Sequence, residues 1–413
     1  MNGLLKRLLN RGLALNERTL AVADNAFDWL FLREILIKSG LTPFNIVYEG
    51  DPMSVRYYAL PESQIELADG SVMPVQRKQH ALPLLLVPPL GVTTETFDLL
   101  PQRSLVRYLA ARGFRTYLVD WGTPERRHAH LGMKDYADTM MGEAIAAVRE
   151  HSGVKDISLM GWCMGGLLCL LHAGLSHDRH IRNLVTVASP IDLRGGGIVA
   201  RAASALNTPA RLIRKFTGFR LHNLAPIKLH APGWLTTLAF KLTDPLKSVT
   251  TYWDLITRLW DREFVESYST TSDYLNNMLD YPGGVIQDMV VKMAVDNSLA
   301  AGRVEFGGTV AELDRIKAAL LVYAGASDSL VPADIAHQIV DIVASKDKEF
   351  RIAPGGHMGV MLGGKAQKEV WAGSADWLAK RSRSRVRAPA KPSQADADLR
   401  AARQLRDAED PML

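Results

Sequence analysis

Cysteine is almost absent. The 413-residue chain holds two thiols, Cys163 and Cys169. Six residues apart, they cannot staple a chain of this length, which excludes a disulfide scaffold and fits a reducing compartment or a catalytic thiol. Zinc-type CxxC pairs and a phosphate-binding P-loop are missing from the sequence. His128 and His130 are spaced as metal ligands but lack the company a metal site needs, so no metal is expected. The glycines at 195–197 and 307–308 lack the strand, spacing and downstream acid of a dinucleotide loop, and no cofactor is expected. Aromatic residues make up 7% and are not interleaved with basic ones, so a nucleic-acid platform is not expected either.

Long apolar runs are also lacking. The nearest approach, Leu159 to Leu175, is 17 residues with four glycines and a histidine, and reads as a buried strand, turn and helix rather than a membrane span. At the N-terminus, Lys6, Arg7 and Arg11 interrupt the leucines, so a secretory signal is not expected and a cytoplasmic location is. An excess of either sign of charge is nearly absent outside the C-terminal tail. Residues 380–413 carry nine basic and five acidic side chains, +4 of the net +5. The basic balance is thus a property of a polar tail, expected to be flexible, and is no argument for nucleic-acid binding by the body.

What is present is a chain of ordinary globular composition, 47% apolar and 23% charged. Residues 1–50 read as a helical segment, with Leu4, Leu5, Leu8, Leu9 and Leu13 at helical spacing, either packed on the main domain or lying on a lipid or polymer surface. Short strands follow around Val55 to Arg77. Apolar runs bounded by turn signals then recur: PLLLVPP (Pro83 to Pro89), TYLVDWG (Thr116 to Gly122), ISLMGW (Ile157 to Trp162), NLVTVASP (Asn183 to Pro190) and ALLVYAG (Ala319 to Gly325). Helical stretches lie between them, such as Ser104 to Arg112 and Lys134 to Glu150. Such runs suit central strands covered on both faces, and the alternation predicts an α/β fold with a mostly parallel sheet. From about 195 to 312 the alternation stops, and this stretch reads as a helical cap inserted in a domain spanning 51–379.

GWCMGG (Gly161 to Gly166) lies between an apolar run and a helix and fits the nucleophile-elbow pattern with cysteine at its centre. A helix N-terminus behind the turn aims free N–H groups and positive dipole at the side chain, which favours thiolate. Cys163 is the expected nucleophile, and Cys169, one helical face further on, a core residue. The backbone N–H of Met164 is one expected oxyanion donor, and the loop after PLLLVPP, at Leu90 and Gly91, supplies the second. The acid and the histidine must follow in that chain order. Asp328 stands in the loop after ALLVYAG, and His357 stands in APGGHMGVMLGG. His357 is expected to take the thiol proton and Asp328 to orient the ring. Asp192, in SPIDL, is the rival acid. No residue is assigned to substrate binding.

These residues resemble one family. Cysteine in the elbow, VDWGTP, NLVTVASPIDL, WDLITRLWDREFVESY and GASDSLVP are similar to stretches of the polyhydroxyalkanoate synthases, a branch of the α/β-hydrolases. The likeness runs from about residue 80 to 365. It implies an α/β-hydrolase fold and an acyltransferase that polymerises 3-hydroxyacyl-CoA into polyester, releasing CoA through an acyl-cysteine. It also implies location at polyester granules and a homodimer or a second synthase subunit. Two alternatives stay open: a thioesterase or polyester hydrolase on the same scaffold, and a non-catalytic granule-associated or partner subunit.

Overall fold

The computed structural model describes residues 2–192, 224–241 and 252–382, with side chains described from residue 16 onward and not at 239–241. Part of the expected cap, the glycines at 195–197 and nearly all of the expected tail lie outside these residues.

Eight strands form the central sheet: β1 (Asn45–Glu49), β2 (Ser54–Tyr58), β3 (Leu84–Val87), β4 (Thr116–Asp120), β5 (Ile157–Trp162), β6 (Ile181–Val187), β7 (Ala319–Gly325) and β8 (Lys348–Ala353). Their spatial order is β1-β2-β4-β3-β5-β6-β7-β8. β1, β2 and β4 pair antiparallel. Every other pairing is parallel. The chain reverses direction across the sheet between β3 and β5, and at this switch point the strand ends open a crevice at their C-terminal side.

The central runs are apolar at successive residues because each face is covered. In β3, Leu85 and Val87 join one core while Leu84 and Leu86 join the other. In β5, Leu159 and Met160 divide in the same way. Helices α3 (Met141–Ser152), α4 (Met164–Ser176) and α6 (Ala333–Ile342) cover the first face. Helices α2 (Leu105–Ala111) and α7 (Ala372–Arg381) cover the second. Ser104 caps α2 by accepting from the Arg107 N–H, and α3 stops where Gly153 turns left-handed (φ 68°).

Two boundaries differ from the sequence reading. The N-terminal segment is not helical to residue 50. Helix α1 (Asn2–Phe31) gives way to β1, an edge strand whose residues are exposed or half-buried, so no apolar run announces it. The expected cap ends in an antiparallel hairpin, Arg303–Phe306 with Thr309–Glu312. Its turn is Gly307-Gly308, both at positive φ, and Val304, Phe306 and Ala311 are buried. Two glycines between alternating residues are a hairpin signal.

The described part of the cap contains a helix at Gly233–Lys241, α5 (Arg262–Asn276) and a helix at Gly283–Asp288. The described half of α1 packs against this cap. Asn25 Nδ2 donates to the Leu259 carbonyl (2.7 Å), Arg262 pairs with Asp28, and Leu36, Leu255 and Val265 share a small core. Leu20, Phe27, Leu30 and Phe31 stay exposed on the same helix.

Leu159 is fully buried in the central strand. Leu159→Ala is expected to lower unfolding free energy by roughly 2–5 kcal/mol in urea titrations. Ile352→Ala, at a side chain 61% exposed, is expected to change it by less than about 0.5 kcal/mol.

Candidate active site

Strand β5 runs directly into α4 through Cys163, whose φ of 51° is one that L-residues rarely adopt. Such a conformation costs of order 1–3 kcal/mol and persists only where the surroundings enforce it. The enforcement comes from close approach. A Cβ on Gly161 would lie 2.4 Å from Gly165, one on Gly165 2.0 Å from the Val87 carbonyl oxygen, and one on Gly166 2.1 Å from Ser189 Oγ. Backbone leaves no room for a side chain at Gly161 or Gly165, and at Gly166 one would displace the Ser189 hydroxyl, so the glycines of GWCMGG answer to packing on β3 and on the loop after β6. The Cys163 N–H donates to the Val187 carbonyl (2.8 Å), tying the turn to β6. The Cys163 side chain stands half-buried at the head of α4.

His357 and Asp328 come from the loops after β8 and β7. His357 Nδ1 donates to Asp328 Oδ2 (2.9 Å), and the Asp328 side chain is wholly inaccessible to solvent. The other carboxylate oxygen accepts the N–H groups of Leu330 (2.9 Å) and Val331 (2.8 Å). Asp328 therefore cannot swing away without orphaning two backbone donors. His357 lies against the Trp162 ring at 5.6 Å between centroids, and charge on Cys163 acts on its ring. Asp192, the rival acid, is held elsewhere: Asn297 Nδ2 (2.7 Å) and Gln338 Nε2 (2.9 Å) donate to it.

Burial by itself disfavours the His357 imidazolium. Negative charge on Cys163, then the hydrogen bond to Asp328, overcome that and push the ring up to about 10. The folded value lies above the ordinary 6.5. This pairing therefore stabilises the fold fully below about pH 6.5, and its contribution drains as pH rises toward 10. Cys169 is fully buried and its thiol is pushed up by burial, as suits a core residue.

The expected oxyanion donors lie on the two segments that flank the thiol. Met164 begins α4, and Leu90, 3% exposed, lies in the loop after β3. Two cap tyrosines that the sequence reading passed over stand close to the thiol. The Tyr274 hydroxyl donates to Thr96 Oγ1 (2.8 Å) and that of Tyr281 to the Leu90 carbonyl (2.6 Å). Both phenols are pushed up, chiefly by burial and also by the Cys163 charge. In the sequence Tyr281 sits in DYPGG, which carries only a turn signal. His128, considered as a metal ligand, is buried against Asp51 (3.1 Å) and accepts from the Glu125 N–H.

The family model described as alpha/beta hydrolase fold matches residues 83–364, a span that contains all of these groups. The chain belongs to this family. Among curated proteins it is similar to the poly(3-hydroxyalkanoate) polymerase subunit of Haloferax mediterranei, at 28% identity over 92% of this chain and 71% of that protein. The subunit of Allochromatium vinosum is 28% identical over 84% of this chain and 90% of its own length. That of Synechocystis is 24% identical over 91% and 94%. The resemblance drawn from GWCMGG, VDWGTP and GASDSLVP thus extends over most of the chain, and places it with the polyhydroxyalkanoate synthases within the α/β-hydrolases.

Because charge on Cys163 is the main influence raising His357, Cys163→Ala is expected to lower the ring's titration midpoint, read from the imidazole nitrogens by NMR. An unchanged midpoint would show that Cys163 does not carry the charge.

Proposed function

We propose that the protein is a polyhydroxyalkanoate synthase that polymerises 3-hydroxyacyl-CoA into polyester and releases CoA through an acyl-cysteine intermediate. The observation that carries this reading is a cysteine in the strained elbow, with the Asp328–His357 pair acting on it, in a chain similar along most of its length to poly(3-hydroxyalkanoate) polymerase subunits.

The reaction begins as His357, whose protonated form is favoured, takes the Cys163 thiol proton. Cys163 Sγ attacks the thioester carbonyl. The oxyanion is held by backbone N–H groups of Met164 and of the Leu90 loop, in a setting where buried dipoles act with little screening. The C–S bond to CoA breaks, and the departing thiolate takes the His357 proton. Acylation removes the Cys163 charge, which was the main support of the imidazolium. With that support gone only Asp328 opposes burial, the neutral form of His357 gains, and the residue that served as acid becomes a base. It accepts the proton of the next unit's hydroxyl, an ester C–O bond forms, and the C–S bond to Cys163 breaks. Asp328 holds the ring through both halves. Exchanging one thioester for another is nearly balanced in energy, so the acyl group is stored with little loss. Water must be kept out during that storage, and Tyr274 and Tyr281 close the cap side of the thiol.

No helix among the described residues is long and apolar enough to cross a membrane. The proposed workplace is the surface of cytoplasmic polyester granules. CoA is part of the substrate and a product, so the mechanism calls for no separate cofactor.

The test is purified protein with 3-hydroxybutyryl-CoA and longer analogues, alone and with a partner subunit, following free CoA and product size together. CoA release with oligomer or polymer is expected, and Cys163→Ala is expected to abolish both. CoA release with free 3-hydroxy acid alone would mean a thioesterase, and no release from any hydroxyacyl-CoA would end the catalytic reading.

A further inference from the structure

The loop after β3 is tied down by its carbonyls. Trp121 Nε1 donates to the Pro88 carbonyl (2.9 Å), the Tyr281 hydroxyl to that of Leu90 (2.6 Å) and the Leu279 N–H to that of Gly91 (2.9 Å). Two of the three ties come from the cap. Gly91 has φ +78°, and a Cβ there would lie 2.1 Å from the Tyr281 ring. The aromatic face thus lies on bare backbone, at a position where only glycine allows both the turn and the contact. Tyr281 is itself fixed, since its N–H donates to the Ala231 carbonyl (2.8 Å) and its carbonyl accepts from the Ala231 N–H (3.0 Å). The adjoining Asp280 accepts from His230 Nε2 (2.9 Å) and from the Gly233 N–H (2.7 Å).

A peptide group is planar and trans, so its N–H points opposite to its C=O. A hydroxyl that fixes the Leu90 carbonyl therefore fixes the Gly91 N–H as well, and with the Pro88 tie it confines the Leu90 N–H between two anchored peptides. We infer that Tyr281 is a positioning residue of the oxyanion loop, supplied by the cap, which holds the Leu90–Gly91 backbone donors at the place where the thioester oxygen becomes negative. The inference rests on the acyl-cysteine reading and adds to it that a seated cap completes the site. Preorganised donors stabilise developing charge because they need no reorientation during reaction, and a loop free to tilt forfeits that advantage.

The clean probe is Tyr281→Phe, which keeps the ring on Gly91 and removes the hydroxyl alone. Two reactions of Cys163 separate the possibilities. Acylation by p-nitrophenyl acetate, read as the nitrophenolate burst, develops an oxyanion. Alkylation by iodoacetamide needs the thiolate but no oxyanion donor. Losing a direct donor slows acyl transfer by about 10²–10³, so losing the group that holds its loop is expected to slow the burst about tenfold. Iodoacetamide alkylation is expected to stay within about twofold of wild type. With 3-hydroxybutyryl-CoA, kcat is expected to fall with KM little changed. Equal slowing of both Cys163 reactions would mean general damage to the site, and no slowing of either would mean the hydroxyl is dispensable; each result overturns the assignment. Should wild type release no CoA, the synthase reading fails by itself, and the paired ester and iodoacetamide rates still decide Tyr281.

Discussion

The turn at Cys163 depends on three missing Cβ atoms. Gly161, Gly165 and Gly166 let the head of α4 settle onto the Val87 carbonyl and the Ser189 side chain, and only at that range does the strand pass into the helix through a residue at φ 51°. The cost of the backbone conformation is borne by the packing of β3, β5 and β6, all central and buried on both faces. The rest of the site is arranged around that point. The loops after β3, β7 and β8 leave the same edge of a parallel sheet and converge on the thiol because parallel strands end side by side.

Burial acts on the site in two directions. It disfavours the imidazolium of His357 while the neighbouring thiolate favours it, and the outcome depends on whether Cys163 carries charge. One enclosure therefore allows two protonation states, both of which the proposed reaction uses. The same enclosure keeps the Tyr274 and Tyr281 phenols protonated and able to donate. It also makes an unpaired buried carboxylate costly, which Asp328 avoids by accepting from His357, Leu330 and Val331 together.

The cap reaches the loop after β3 through Leu279 and Tyr281, and it is itself held by α1 through Asn25 and Asp28 and by Leu36 just after that helix. A continuous set of contacts thus runs from the N-terminal helix across the cap to the backbone beside the thiol.

Much of this was legible in the residues alone. Unbroken apolar runs such as LLLV and ISLMGW mark strands covered on both faces, and glycine-flanked Cys163 marks an elbow because few other turns need that composition. Asp328 and His357 were legible from their chain order and their loops after strands. β1 was not, because an edge strand without a buried run leaves no apolar pattern, and the Gly307-Gly308 hairpin was submerged in a segment read as helical. The choice of Asp328 over Asp192 was open until the fold placed Asn297 and Gln338 on Asp192. Local sequence determined which residues could bend, bury or ionise, since those properties reside in single side chains and short spacings. Only the tertiary structure decided which of them share a charge, a proton or a peptide plane, because Cys163, His357, Leu90 and Tyr281 meet through strand order and cap packing that no local pattern records.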